Sequence, residues 1–331
     1  MQKDLLPSFK KIYYFFKIYK NTQKIRIPWI LYLKGMLKTG CRFIKAGGKI
    51  SQSNNDLVYS YSKINFKIHN EEEKFFLEDI GSGFYKNCTI MPSSKILYGF
   101  DIILDDLVFT LFDLKGVKNL LGVYKDYKDL PILDRVIIDI GAYEGDSSLF
   151  FAMKGAFKVL AFEPNLFFIN KSKNIIGVNH LEKVVEFHNA GFGSELFEYD
   201  GKESSPSTEL WNLTRIASLI QENEDLIGKK ISLKIDCEGC EYELFSDQSG
   251  LNRLIKLGLD AIIFEYHDRQ SRKHGKTREN IAKDKKCLSD LFFNLESHGF
   301  RVKNNTNAGP SFGIATFFLE EKGKCNCHPL Y

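Results

Sequence analysis

Through the second half of the chain, short apolar runs alternate with segments of helical periodicity. Residues 135–140 (Arg-Val-Ile-Ile-Asp-Ile) form a nearly continuous apolar run, the pattern of a strand buried on both faces of a parallel sheet. The run ends in a glycine turn, and Asp146, Ser147 and Ser148 supply N-cap chemistry for a helix through Met153. Further strands are predicted at 158–162, 184–188, 231–235, 261–266 and 314–319. Helices are predicted over 166–176, 240–245, 251–257 and 278–297. Strands alternating with helices predict a doubly wound, mostly parallel α/β sheet. In such sheets the ligand sits outside the carboxyl ends of the strands.

Upstream the texture changes. Gly47, Gly48 and residues 51–55 read as a loop. Short strand-like runs follow, including 64–68 and 100–104, with a predicted helix near 71–78. The chain therefore divides into a basic, aromatic N-terminal segment (1–55), an accessory α+β region (56–133), the alternating core (134–322) and a flexible tail (323–331). No internal repeat or long low-complexity tract is visible.

Composition narrows the classes. The 331 residues are 44% hydrophobic and 27% charged, with a formal charge of +4, so the balance alone demands no nucleic-acid partner. The basic excess is concentrated at the start, where Asp4 is the only acid in the first fifty residues. Such a segment suits an anionic neighbour, for which a membrane surface is one candidate. No stretch reaches the roughly 20 apolar residues of a transmembrane helix, and residues 5–19 lack the apolar region and cleavage site of a secretory signal. As a helix that stretch would present Phe9, Tyr13 and Phe16 beside Lys17 and Lys20, as an interfacial anchor does. Packing of the same helix on the core is the preferred reading. Seven cysteines without a secretory signal are expected to be reduced thiols in the cytoplasm, with peripheral membrane contact through the N-terminus as the variant. Cys237 and Cys240 have the spacing of a metal half-site, but no second Cys-x-x-Cys completes it. Cys325, Cys327 and His328 end the chain, and structural zinc is not expected.

Three clusters carry chemistry. Asp139-Ile-Gly141-Ala142-Tyr143-Glu144-Gly145-Asp146 lies between a strand and a helix, and its glycines permit a tight turn with backbone N–H groups facing a ligand. The dinucleotide pattern G-x-G-x-x-G is broken by Tyr143. An acid opening the turn repels a pyrophosphate and suits a cation. Glu163 ends the next strand, 18 residues after Gly145, close to the offset at which an acid grips ribose hydroxyls. These features favour S-adenosylmethionine, which carries a sulfonium, an ammonium and no phosphate. The second cluster is Lys234-Ile-Asp236-Cys-Glu238-Gly-Cys-Glu241, with three acids where a buried strand meets a helix. Acids at a helix N-terminus are favourable for dipole reasons alone, yet topology puts Asp236 and Glu238 beside the cofactor crevice. The third is Phe264-Glu265-Tyr266-His267, whose histidine can serve as a general base or sit as a satisfied surface group.

Together these blocks, with Phe162-Glu163-Pro164 and Asn189-Ala190, resemble the FkbM family of methyltransferases over roughly the C-terminal 200 residues. The K-I-D-x-E-G-x-E block is the most discriminating part. The resemblance implies a Rossmann-like class I methyltransferase fold and O-methylation of a natural product, sugar, glycan or glycolipid. It implies that Asp139, Gly141, Ala142, Tyr143, Gly145 and Asp146 surround the amino-acid end of S-adenosylmethionine. Glu163 would hold the ribose, Asn189 and Ala190 would lie near the adenine, and Asp236 and Glu238 would line the reaction centre. The chain departs from the family at Tyr143, where Asn is common. Asp236, Glu238 and His267 are the candidate bases, unranked. Magnesium or calcium would suit the acids, though no spacing requires a metal. A nucleic-acid or protein N-methyltransferase is disfavoured, because Asp236-Cys-Glu-Gly replaces the acid or Asn followed by Pro-Pro and an aromatic of many such enzymes, and because the acids repel phosphate. A non-catalytic, membrane-recruited scaffold is the reading from another class.

Overall fold

The computed structural model describes residues 49–53, 56–61, 64–66, 88–95, 99–192, 208–267, 277–309 and 312–320. The basic stretch 1–48, the helix expected near 71–78 and the tail with Cys325, Cys327 and His328 lie outside them. The chain forms two compact units, Met1–Gly122 and Val123–Tyr331, so the division falls eleven residues before the boundary the sequence suggests.

In the first unit, β1 (Lys49–Ser53), β2 (Asp56–Tyr61) and β3 (Ile64–Phe66) form an antiparallel sheet. Residues 51–53, expected in a loop, are thus paired strand. A second antiparallel sheet comprises β4 (Thr89–Pro92), β5 (Phe100–Leu104) and β6 (Leu107–Leu111). Helix α1 (Leu114–Tyr127) contains the division between the units.

The second unit is built on a seven-stranded sheet. Its strands are β7 (Val136–Ile140), β8 (Lys158–Phe162), β9 (Val185–His188), β12 (Ile231–Ile235), β13 (Leu259–Tyr266), β14 (Phe300–Gly309) and β15 (Phe312–Leu319). A small parallel pair, β10 (Ala190–Phe192) and β11 (Glu209–Trp211), lies apart from it. The order is β14-β15-β13-β12-β7-β8-β9. Strands β13, β12, β7, β8 and β9 run parallel, and β15 is antiparallel to both of its neighbours. The expected mostly parallel α/β sheet is therefore the observed one.

The helices of this unit are α2 (Asp146–Met153), α3 (Leu166–Val178), α4 (Leu213–Gln221), α5 (Glu241–Leu244), α6 (Gln248–Leu257) and α7 (Arg278–Ser297). All five residues of β7 and of β12 are buried, which explains the nearly continuous apolar run of β7; the polar Asp139 and Lys234 are buried as a pair. Leu213, Ile216, Ala217 and Ile220 of α4 enter the same core as Ile138, Ile140, Leu233 and Ile235. Asn212 caps α4 by accepting from the Arg215 N–H, and Asn165 caps α3 by accepting from the Phe167 N–H. Helix α2 differs from expectation: its N-cap is Gly145 in the left-handed region, and no side chain caps it. Among the described residues, no helix is long and apolar enough to cross a membrane.

Candidate active site

The parallel registers align the ends of five strands. Ile140 pairs with Ile235 and Phe162, Phe162 with His188, and Ile235 with Phe264. The next residues, Gly141, Glu163, Asn189, Asp236 and Glu265, therefore emerge along one rim. Strand order reverses between β7 and β12, where open α/β sheets bind ligands. A cavity of about 160 Å³ opens there, lined by Gly141, Tyr143, Glu163, Ala190, Asp236 and Glu238, with Phe162, Pro164 and Phe192 as its apolar wall. One water needs only about 10–15 Å³ on this measure, so the space is ligand-sized.

Gly141 has φ +76°, and a Cβ there would lie 1.8 Å from the Asp236 carbonyl oxygen. Only glycine lets the two central turns touch. Its N–H and that of Ala142 donate to the Phe162 carbonyl at 3.0 Å. Tyr143 is left-handed at φ +46°, and its ring lies 4.4 Å from that of Phe168. The position where the family commonly has Asn thus works through its backbone: the Tyr143 N–H donates to Glu163 Oε2 at 3.0 Å. The Asn165 N–H donates to Glu163 Oε1 at 2.9 Å. Both oxygens keep a lone pair for a ligand hydroxyl. Burial pushes the Glu163 carboxyl up to about 7, against the two backbone donors.

The cofactor-side residues separate into two groups. Gly141, Tyr143, Glu163 and Ala190 line the cavity. Asp139, Ala142, Gly145, Asp146 and Asn189 do not. Asp139, expected beside the amino-acid end of the ligand, is fully buried beneath the turn. It accepts from the Ser147 and Ser148 hydroxyls at 2.7 Å each and pairs with Lys234 Nζ at 3.0 Å. Asp139 and Lys234 are register partners on β7 and β12, so their side chains share one face of the sheet. The two serines, expected as caps, instead donate hydrogen bonds to this acid. Lys234 also donates to the Gly141 carbonyl at 2.8 Å; burial opposes its charge, but Asp139 and Asp236 outweigh it and raise the Lys234 pKa. Asp146 is buried in the first turn of α2. Gly145 faces Ser172, and Asn189 Nδ2 donates to the Glu163 and Pro164 carbonyls at 3.2 and 2.8 Å. These residues shape the turn and the adenine-side loop.

The second turn behaves differently. Asp236 and Glu238 both line the cavity, and Glu238 is held at φ +59°, a costly backbone for a non-glycine residue. His267 does not line the cavity but stands behind them. Its Nε2 lies 3.8 Å from Asp236 Oδ1, 3.6 Å from Glu238 Oε2 and 3.7 Å from Glu265 Oε1. Its Nδ1 lies 3.5 Å from Glu241 Oε1. Burial opposes charge on the ring, but Glu241, Asp236 and Glu238 outweigh it and hold His267 up to about 9. Burial, with Asp236 nearby, pushes Glu265 up to about 7, and burial likewise raises Asp236. The Tyr127 hydroxyl donates to Asp236 Oδ2 at 3.3 Å.

Sequence reasoning placed Glu265 beside His267 without giving it a role. It missed Tyr127 and Phe192, and it named Lys234, Phe162 and Pro164 within motifs without giving them a role. Cys237 and Cys240, expected as reduced thiols, are joined in a disulfide on the cavity wall. The bond is possible because their Cα atoms are 5.5 Å apart, within disulfide reach.

The arrangement fits a phosphate-free, cationic nucleoside: an acid for a diol at the end of β8, apolar surface beside it, and two carboxylates opposite. The family model described as the methyltransferase FkbM domain matches residues 139–302. No curated protein matches the chain. Similar solved structures include the O-methyltransferase from Bacillus cereus in complex with SAH, 13% identical at TM-score 0.38, covering 62% of this chain and 91% of that one. The O-methyltransferase TomG from Streptomyces achromogenes, in complex with SAM, is 11% identical at TM-score 0.37, covering 66% and 84%. The ribosomal protein L11 methylase from Lactobacillus delbrueckii subsp. bulgaricus is 12% identical at TM-score 0.35, covering 63% and 80%.

Proposed function

We propose that this chain, an S-adenosylmethionine-dependent methyltransferase whose residues 139–302 belong to the FkbM family, methylates a hydroxyl oxygen of a small molecule such as a sugar, glycan, glycolipid or other natural product. The observation that carries this reading is the pair of carboxylates, Asp236 and Glu238, on the cavity wall opposite Glu163. S-adenosylmethionine supplies a methyl group on a positively charged sulfur, which leaves as a neutral thioether with the bonding pair.

Glu163 receives the ribose hydroxyls, and its two backbone donors fix the carboxylate plane before the ligand arrives. Gly141 and Tyr143 shape the wall for the amino-acid end, and Ala190 and Phe192 offer apolar surface to the adenine. Asp236 and Glu238 orient the acceptor, and one of them takes the hydroxyl proton as the O–CH₃ bond forms. An alcohol is a weak nucleophile, so this base is worth about 10²–10⁴-fold in rate. Alignment of acceptor and methyl supplies several further kcal/mol. The acids disfavour an acceptor carried on a phosphate backbone.

The test is incubation with methyl-labelled S-adenosylmethionine and fractions of hydroxyl-rich metabolites and glycans. Label in a base-stable methyl ether is expected. Label only on nitrogen would overturn O-methylation, and cofactor binding with no transfer to any acceptor class would favour the scaffold reading.

A further inference from the structure

Behind the cavity, Asp236, Glu265 and His267 each offer one ligand atom, all within 4.8 Å of one another. They come from the ends of two adjacent parallel strands, β12 and β13, whose register is set at Ile235 and Phe264. The set is one imidazole and two carboxylates.

The distances around His267 Nε2 identify the problem the site poses. Three carboxylate oxygens surround it at 3.6–3.8 Å, too far for hydrogen bonds. Neighbouring ligands around a six-coordinate cation with bonds of about 2.1–2.5 Å stand about 3.0–3.5 Å apart, so the Asp236 and Glu265 oxygens, at 3.8 and 3.7 Å from Nε2, lie a few tenths of an ångström beyond the spacing of neighbours on one ion.

The other ring nitrogen points to the same chemistry. Glu241 is fully buried and fixed by the Gly239 and His267 backbone N–H groups at 2.8 and 2.9 Å. Its Oε1 faces His267 Nδ1 at 3.5 Å. A carboxylate behind a histidine keeps the proton on Nδ1 and presents the Nε2 lone pair, the arrangement found behind metal-bound histidines. Without a metal a proton on Nε2 balances the three carboxylates around it; a divalent cation seated among them would take its place and accept the Nε2 lone pair. Lys234, the nearest buried ammonium, is already committed to Asp139 at 3.0 Å.

We infer that Asp236, Glu265 and His267 bind a hard divalent cation of the magnesium or manganese class, with Glu241 orienting the histidine. Oxygen-rich donors with a single imidazole and no thiolate suit this class; the nearby Cys237 and Cys240 are bonded to each other. Because Asp236 also borders the cavity, the cation stands where it can hold an acceptor oxygen. On the O-methylation reading, it draws the hydroxyl onto itself and lowers its pKa. Glu238, which lies outside the ligand set, then receives the proton.

The test uses the full chain and Mn²⁺ alone, followed by electron paramagnetic resonance of the free ion. S-adenosylhomocysteine binding, measured in parallel, reports on the fold. About one Mn²⁺ per chain is expected. Glu265→Gln and His267→Asn should each weaken it at least about tenfold, and Glu241→Gln by about 10–100-fold, with S-adenosylhomocysteine binding retained. If one variant loses S-adenosylhomocysteine binding, the other two are read in its place. A wild-type chain that binds S-adenosylhomocysteine but no Mn²⁺ overturns the inference, as does Mn²⁺ binding indifferent to all three substitutions. Full methyl transfer in excess chelator would end the metal's role in turnover while leaving O-methylation standing. Mn²⁺ binding without alcohol methylation would do the reverse.

Discussion

The turn after β7 and the turn after β12 meet at the same cavity, yet they handle charge in opposite ways. In the first, the acid that opens the turn is driven inward, paired with Lys234 and hydrogen-bonded by the Ser147 and Ser148 hydroxyls. What reaches the cavity is backbone and the wall of Tyr143. In the second, Asp236 and Glu238 remain on the cavity surface, with Glu265 and His267 behind them. One turn supplies shape and the other supplies charge. They are held together by Gly141 against the Asp236 carbonyl. Buried ion pairs that lose one partner are heavily destabilised, whereas carboxylates at a cavity are kept for chemistry at some cost in stability.

That contrast is broken most severely at Lys234. Lys234→Met leaves Asp139 buried without its cation and should cost about 3–5 kcal/mol in denaturant unfolding. The double variant with Asp139→Asn should recover most of that loss. If the double variant is no more stable than the single, Asp139 is not neutralised by this lysine. Next, Glu238→Gln keeps the backbone and volume but removes a cavity carboxylate. Turnover should fall about 100-fold with S-adenosylhomocysteine affinity unchanged. A loss of affinity with turnover preserved would move Glu238 to the cofactor side. Third, Glu163→Ala should weaken S-adenosylhomocysteine about 10–100-fold in calorimetry, equivalent to roughly 1.4–2.7 kcal/mol, and leave the fold intact.

The smallest effect is a pH dependence. The folded-state pKa of Glu163 is raised to about 7 from an ordinary 4.5 by burial, so the native state holds a proton that the unfolded chain releases. Stability from this group is therefore complete below about pH 4.5 and declines as pH rises toward 7. Glu163→Gln, a permanent mimic of the neutral acid, should flatten the stability profile in that window. An unchanged slope would mean that Glu163 is ionised throughout.

The sheet was legible because its strands are buried on both faces. The short, largely apolar segments Val136–Ile140, Lys158–Phe162 and Ile231–Ile235 are buried almost throughout. Strand β14 was not legible: Arg301, Lys303, Asn304 and Asn305 are exposed on a sheet edge, and a polar edge reads as a loop. Helix α4 carried a usable signal in Leu213, Ile216, Ala217 and Ile220 at helical spacing behind the Asn212 cap. In the site, Gly141, Glu163 and Asp236, which follow strand ends, line the cavity because the rim is set by register, whereas Asn189 on the same rim does not. Asp139 lies one residue inside the strand, where its side chain is committed to a face of the sheet. Its partner Lys234 sits at the matching position of β12, a relation visible only once the two strands are known to be neighbours. The Cys237–Cys240 disulfide depends on local backbone geometry that spacing alone does not specify.

The most direct measurement is a crystal structure of the chain with S-adenosylhomocysteine. The account predicts the ribose hydroxyls on Glu163, the adenine beside Ala190 and Phe192, and the sulfur facing Asp236 and Glu238. A ribose held away from Glu163, or a cofactor bound outside the cleft between the ends of β7 and β12, would contradict it.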